Sequence, residues 1–349
     1  MRKEIRVLIV DDSAFMRKML TEIIDSVPGF EVIKIAVDGL DALEKVKQFR
    51  PDVVTLDIEL PEVDGLTALI YIMEECPTPV IIITGFSKFS GEETVKALEY
   101  GAVGFVRKPQ GDFSKNKRIF KTELMSKLML ASTVNAEKLK SISLPEEKLK
   151  EKKFKISKDK VVAIASSSGG PRALTYVIPQ LPENLPAPVI VVQHIPPAFA
   201  GSLAKRLNGE SKLDVKIAEN SEFLLKGKVY ITPGNMNCKI QLREGKKPEF
   251  VLVPPSGEES FLYTSTNKLM SSLAPIYGKN TIGVVLTGMG DDATDGMRSI
   301  KKYDGYTIAE AESTAVVSGM PRAAIEAGVV DKVVPLQKIT GEIVKAVDR

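Results

Sequence analysis

The chain has a single histidine, His194, so any imidazole chemistry has one possible address. Cysteine is almost as scarce: Cys76 and Cys238 lie far apart, without the paired spacing of a zinc or redox motif, which fits a reduced compartment. No apolar run approaches the roughly 20 residues needed to cross a bilayer, so direct membrane insertion is not expected and any membrane link has to come through a partner. The opening MRKEIRVLIVDDS reaches charge before a signal-length apolar stretch, and a cytoplasmic location is expected. An excess of one charge is missing too. With 48 basic against 45 acidic residues the net charge is +3, which gives no electrostatic case for nucleic acid as the main partner. Fixed-period repeats and low-complexity tracts are absent.

What is present is length and alternation. At 349 residues the chain exceeds one ordinary core, so two domains are expected. In the first third, the apolar runs IRVLIV, FEVIKIAV, VVTLD, PVIIIT and VGFV alternate with amphipathic stretches such as AFMRKMLTEII. This predicts an α/β domain over 1–123 with a doubly wound, five-stranded parallel sheet of flavodoxin-like type. Lysine, glutamate and serine then dominate, which reads as a charged linker over 124–155 or as the charged face of a helix. Buried-strand runs resume with VVAIASS, APVIVVQH, NTIGVVLTG and YTIAEA, so a second, larger doubly wound α/β domain is expected over 156–349. Within it, GKVYITPG and NCKIQLREGKKPEFVLVPP alternate around a glycine-containing turn and predict an added antiparallel hairpin.

In the first domain, Asp11 and Asp12 end the first strand, Asp57 the third and Thr84 the fourth, while Lys108 follows the fifth. The carboxyl ends of parallel strands share one edge, where open α/β folds bind ligands. Three carboxylates there repel unless a hard cation neutralises them, so Asp11, Asp12 and Asp57 make a Mg²⁺ site in which Asp57 can attack phosphorus. Lys108 is placed to pair with a phosphoryl group and Thr84 to bond one of its oxygens. The structural alternative for each acid alone is an N-cap. Together with LDIELPEVDGL and the Lys108-Pro109 pair, these positions resemble the response-regulator receiver family over about residues 3–123. The resemblance implies phosphorylation of Asp57 by a sensor histidine kinase, with Thr84 and Phe105 coupling it to an output surface.

In the second domain, VVAIASSSGGPRAL ends a strand in three serines and two glycines, with Pro171 placed early in a helix. Such a turn presents a nucleophile near a positive helix end, or else cradles a phosphate. His194 closes APVIVVQH at the same sheet edge. IGVVLTGMGDDATDGM supplies an acid to orient the imidazole and turn N–H groups for an oxyanion. The same segment spells G-x-G-x-x-A through Gly288, Gly290 and Ala293, with Glu310 downstream, as in a dinucleotide fingerprint. Against that stand Asp291 and Asp292, which would face a pyrophosphate.

Taken together, these motifs resemble the chemotaxis-receptor methylesterases, the CheB family, over about residues 156–349. The family run G-A-S-T-G-G-P aligns with Ala165 to Pro171 and implies Ser167 as nucleophile. VQHIP places the family histidine at His194, and the family aspartate falls on Asp292, with Asp291 and Asp295 close by. The N–H of Met289 is implied for the oxyanion hole. Ala165, Ser168 and Asp291-Asp292-Ala293 depart from the family's glycine, threonine and Asn-Asp-Gly. The implied activity is hydrolysis of glutamyl methyl esters on methyl-accepting chemotaxis receptors, with receptor glutamine deamidation as a second activity and no cofactor for the esterase. An unphosphorylated receiver is expected to restrain the catalytic domain. The order Ser, His, Asp and the lack of G-x-S-x-G separate the chain from α/β-hydrolases. A DNA-binding output would equally explain the first domain, but the second lacks a helix-turn-helix pattern and a basic stripe.

Overall fold

The structure, a computed structural model, describes residues 4–85, 90–109, 113–139, 154, 159–243, 247–254 and 265–349. It divides into two compact units, Met1–Ile142 and Ser143–Arg349.

In the first unit, β1 (Ile5–Val10), β2 (Phe30–Ala36), β3 (Val53–Asp57), β4 (Val80–Thr84) and β5 (Gly104–Arg107) form one sheet in the order β2-β1-β3-β4-β5. All neighbours are parallel. Every residue of β3 and β4 is buried, as expected of strands covered on both faces. Polar caps start the helices that return the chain. Ser13 caps α1 (Ala14–Asp25), Asp38 caps α2 (Gly39–Phe49) and Asp64 caps α3 (Gly65–Glu75), each side chain accepting a first-turn N–H. Helices α4 (Ser90–Glu99) and α5 (Phe113–Ser132) complete the unit.

The expected linker needs correcting at its start. Helix α5 runs past residue 123 with Leu124, Leu128 and Ala131 buried, and Leu139 is buried in a short 3-10 turn beyond it. These apolar positions pack residues 124–139 into the first unit. The remainder of the expected 124–155 linker, apart from residue 154, and the expected boundary at Ile156 lie outside the described residues.

The second unit holds a seven-stranded parallel sheet in the order β14-β13-β12-β6-β7-β9-β8. Its strands are β6 (Val161–Ser166), β7 (Val189–Gln193), β8 (Asp214–Ile217), β9 (Lys228–Ile231), β12 (Thr281–Val285), β13 (Tyr306–Glu310) and β14 (Lys332–Val334). The two remaining strands, β10 (Asn237–Leu242) and β11 (Pro248–Val253), pair antiparallel as a separate sheet. The hairpin is therefore present, but GKVYITPG is not part of it. That run contributes β9, which pairs parallel with β7 and β8 because Val229, Tyr230 and Ile231 are buried within the main sheet. Tyr230 also meets Phe250 of β11, ring centroids 5.0 Å apart, which docks the hairpin on the core.

Helices α6 (Gly170–Val177), α7 (Pro197–Glu210), α8 (Thr266–Tyr277), α9 (Thr294–Lys302), α10 (Gly319–Glu326) and α11 (Leu336–Asp348) complete this α/β unit. No helix among the described residues is long and apolar enough to cross a membrane.

Candidate functional site

Two constellations lie at strand carboxyl ends, one in each unit. In the first unit the order reverses between β1 and β3, and there the side chains of Asp11, Asp12 and Asp57 converge, their ligand oxygens all within 4.8 Å of one another. Asp11 and Asp57 are buried and Asp12 is exposed. Lys108 Nζ pairs with Asp57 and lies 3.1 Å from Asp11 Oδ2. One ammonium, bonded to two of them, therefore stands against a cluster of three carboxylates.

Burial lifts the Asp57 carboxyl to about 6, the neighbouring Asp11 charge adding and Lys108 opposing. Burial works against the Lys108 charge as well, but Asp57 and Asp11 hold it above the ordinary lysine value. A crowded all-oxygen donor set with this excess of negative charge fits a hard divalent cation. Thr84 is buried at the end of β4, its Oγ1 3.5 Å from Thr94 Oγ1, and Phe105 is half-buried on β5. Gly65 was not singled out in the sequence, yet a Cβ there would lie 2.0 Å from the Asp57 carbonyl oxygen, so the DGL turn can approach the acid only as glycine.

In the second unit, β12, β6 and β7 lie side by side and deliver the other site. Ser166, the last residue of β6, is fully buried and its hydroxyl donates to Gln193 Oε1 at 2.8 Å. That commitment removes it as an exposed nucleophile. Ser167 follows at the turn into α6, half-buried, its N–H bonded to the Thr287 carbonyl at 3.0 Å and its carbonyl accepting from Gly170 N–H at 2.7 Å. Ser168 is also half-buried, and its carbonyl accepts from Thr287 Oγ1 at 2.9 Å. Gly169 makes the turn at φ +76°, a conformation that favours glycine.

His194 leaves β7 one residue past its end, and its Nε2 lies 2.8 Å from Asp292 Oδ2. Asp291 is exposed and Asp295 pairs with Arg298, so Asp292 is the acid that reaches the imidazole. The start of α8 holds this carboxylate. Asp292 Oδ2 accepts from Thr266 N–H at 2.8 Å, and Oδ1 accepts from Asn267 N–H at 3.0 Å and Ser265 Oγ at 3.3 Å. Burial pulls its pKa upward, but the His194 bond and charge and the two backbone N–H groups hold it below the usual carboxylate value. The S-T-N start of the TNKLMSSLAPIY helix is a readable N-cap, but nothing in the sequence said which acid it would receive.

The turn after β12 is locked from several sides. Glu310, 1% exposed, accepts from Thr287 N–H at 2.8 Å and Thr314 Oγ1 at 3.0 Å, while Thr287 Oγ1 accepts from Val317 N–H at 2.9 Å. Gly288 donates to the Val317 carbonyl and accepts from Met320 N–H, each at 2.9 Å. A Cβ on Gly288 would reach 2.2 Å from Met320 Sδ and 2.9 Å from Ser167 Cβ. The dinucleotide reading fails on this geometry, since Glu310 is spent inside the protein and the first glycine packs against a serine and a methionine. Met289 lies on the same turn, with its side chain 50% exposed.

Residues 162–343 match the CheB methylesterase family, and residues 7–118 match the response regulator receiver domain family. The chain is 45% identical to a protein-glutamate methylesterase/protein-glutamine glutaminase of Pyrococcus abyssi, over 99% of this chain and 94% of that one. A protein of the same name from Thermotoga maritima is 42% identical over 98% of each chain. The crystal structure of the Thermotoga maritima CheB methylesterase catalytic domain aligns with a TM-score of 0.52 at 43% identity, covering 54% of this chain and 99% of that chain.

Proposed function

Since the chain belongs to the CheB methylesterase family and carries a response regulator receiver domain ahead of the catalytic one, we propose that it hydrolyses glutamyl 5-O-methyl esters of methyl-accepting chemotaxis receptors through Ser167, His194 and Asp292. The observation that carries this reading is the 2.8 Å contact between His194 Nε2 and Asp292 Oδ2, beside the turn that bears Ser167. An ionised carboxylate only accepts, so Nε2 carries the ring proton and Nδ1 is the basic nitrogen. Ser167 Oγ attacks the ester carbonyl as Nδ1 takes its proton, and the Met289 N–H steadies the oxyanion. Nδ1 returns the proton to the departing methoxide, giving methanol and an acyl-serine. Water, deprotonated by the same nitrogen, then attacks the acyl-serine, and Nδ1 returns that proton to Ser167 Oγ as the glutamate leaves. A glutamine side chain follows the same route with ammonia leaving, in keeping with the double name of the relatives.

For control, the proposed phosphorylation site is Asp57, with a chemotaxis sensor histidine kinase as phosphodonor. Asp11, Asp12 and Asp57 would hold Mg²⁺, which supplies charge neutralisation for the carboxylates and the phosphoryl group. The Asp57 carboxylate takes the phosphoryl group, Lys108 pairs with its charge, and Thr84 and Phe105 pass the change to the output surface. A cytoplasmic location is part of the proposal.

The deciding assay is methanol release from methylated receptor membranes, with and without a small phosphodonor, by wild type and by Asp57→Ala. Phosphodonor should stimulate wild type and leave Asp57→Ala unchanged, while a fragment spanning 159–349 should exceed the unphosphorylated full chain. Equal stimulation of both full-length proteins would sink the Asp57 assignment, and a fragment no faster than the full chain would sink restraint by the receiver.

The acidic site also has a pH signature. Asp57 binds a proton near 6 in the folded protein, and that proton competes with the cation. Mg²⁺ affinity should be level above about pH 7 and fall by up to about tenfold per unit below pH 6, as read by titration calorimetry. An affinity unchanged down to pH 5 would contradict this.

A further inference from the structure

The ladder between β6 and β7 ends where the chemistry begins. Ser166 pairs in register with Gln193, and the last backbone bond runs from His194 N–H to the Ser166 carbonyl at 3.0 Å. One residue further on, the carbonyls of Ser167 and His194 have passed the end of the ladder. The side chain of Gln193 takes over there. It is 2% exposed, and its Nε2 donates both to the Ser167 carbonyl at 2.9 Å and to the His194 carbonyl at 3.1 Å.

The amide can sit only one way round. Two carbonyl oxygens accept and cannot donate, so Nε2 must face them, and Oε1 is left to accept from Ser166 Oγ at 2.8 Å. The neighbouring turn leaves room for this group. A Cβ on Gly170 would lie 2.0 Å from Gln193 Oε1 and 2.9 Å from Ser166 Cβ. Gln193 is thus a side-chain rung that ties the backbone of one proposed triad member to that of another.

We infer that Gln193 is a positioning residue for the Ser167–His194 pair, oriented by the Ser166 hydroxyl; this rests on the triad reading given above. The amide fixes the separation of the two backbones from which Oγ and Nδ1 project. Displacing reacting groups by about 1 Å can cost about 100-fold in rate.

The test uses the full chain with Gln193→Met, which keeps length and removes both donors. In methanol release, kcat should fall by about 10- to 100-fold while KM stays within about twofold. Labelling of Ser167 by an organophosphonate should slow in parallel. When His194 is already alanine, adding Gln193→Met should change the residual labelling by less than about twofold, since there is no longer an imidazole to place. Ser166→Ala, which frees the amide to turn, should show a smaller loss with the same dependence on His194. Thermal unfolding checks that each variant folds, and if Gln193→Met does not, Ser166→Ala decides.

Wild-type kcat in the deciding variant would overturn the inference. So would an equal fold-loss with and without His194, which marks a general structural role. If Ser167→Ala itself still labels and releases methanol, the triad reading fails and takes this inference with it; an inactive Ser167→Ala beside a normal Gln193 variant removes this inference alone.

Discussion

Replacing Ser167 or His194 by alanine is expected to lower methanol release by on the order of 10⁴- to 10⁶-fold, with the double variant little worse than either single one. Non-additivity follows from the geometry. Ser167 Oγ is a poor nucleophile without a base, and the chain's only imidazole is held at the same sheet edge with Nε2 committed to Asp292. No neighbouring hydroxyl can substitute easily. Ser166 Oγ is buried and bonded to Gln193, which leaves Ser168 as the rival on the turn. Mass mapping of an organophosphonate adduct separates the two. An adduct on Ser168 in wild type, or near-normal turnover in Ser167→Ala, would show the nucleophile to be misassigned.

Asp292→Asn is expected to cost about 10³- to 10⁴-fold in kcat although the side chain barely changes shape. Both carboxylate oxygens of Asp292 accept: Oδ2 from His194 and Thr266, Oδ1 from Asn267 and Ser265. An asparagine has one oxygen for these two stations. With its NH₂ toward His194, the ring must accept at Nε2, which puts the proton on Nδ1 and leaves Ser167 without a base. With its NH₂ toward Asn267 instead, the tautomer survives but Asn267 N–H loses its acceptor, as Thr266 N–H does in the first orientation, each at a cost of about 1–3 kcal/mol.

Stability should record the same change. A pKa depressed by folding contributes stability above the unfolded carboxylate value of about 3.9, and that contribution disappears as pH falls through the folded value. Thermal melts of wild type should therefore decline more steeply below pH 4 than those of Asp292→Asn. Matching acid limbs and near-wild-type kcat would refute the role given to the carboxylate.

The receiver half was legible because its candidate site residues, Phe105 apart, sit at or just past strand ends, and most of its strands are apolar runs. Position along the chain was enough to bring Asp11, Asp57, Thr84 and Lys108 to one edge. In the catalytic half the strands that carry Ser167 and His194 were equally plain. β8 and β14 were not, being only four and three residues long with a single buried residue in each. The assignment of GKVYITPG to a hairpin erred because alternation does not say which way a strand's neighbours run, and only packing placed β9 between β7 and β8 in the parallel sheet. The family resemblance pointed to Asp292 over Asp291, but the contact that selects it physically, the α8 N-terminus, lies more than twenty residues earlier. Gln193 left no signal at all, since a side-chain amide reaching two carbonyls has no periodicity.

The strand order β12-β6-β7 carries a lasting consequence for how this site can vary. The serine strand lies between the other two, so the acid must cross it to reach the histidine, a span of about 10 Å at ordinary strand spacing. Ser167 and His194 sit one residue beyond their strands, whereas Asp292 comes at the end of a glycine-bearing turn well past Val285. A single-residue slip in β6 or β7 would turn serine or histidine to the opposite face of the sheet. The crossing turn is fixed at Thr287 and Gly288, but beyond them it is not tied to a ladder register. In lineages diverging from this chain, the acid's location is the coordinate freest to drift, and the serine and histidine the ones the sheet will not let go.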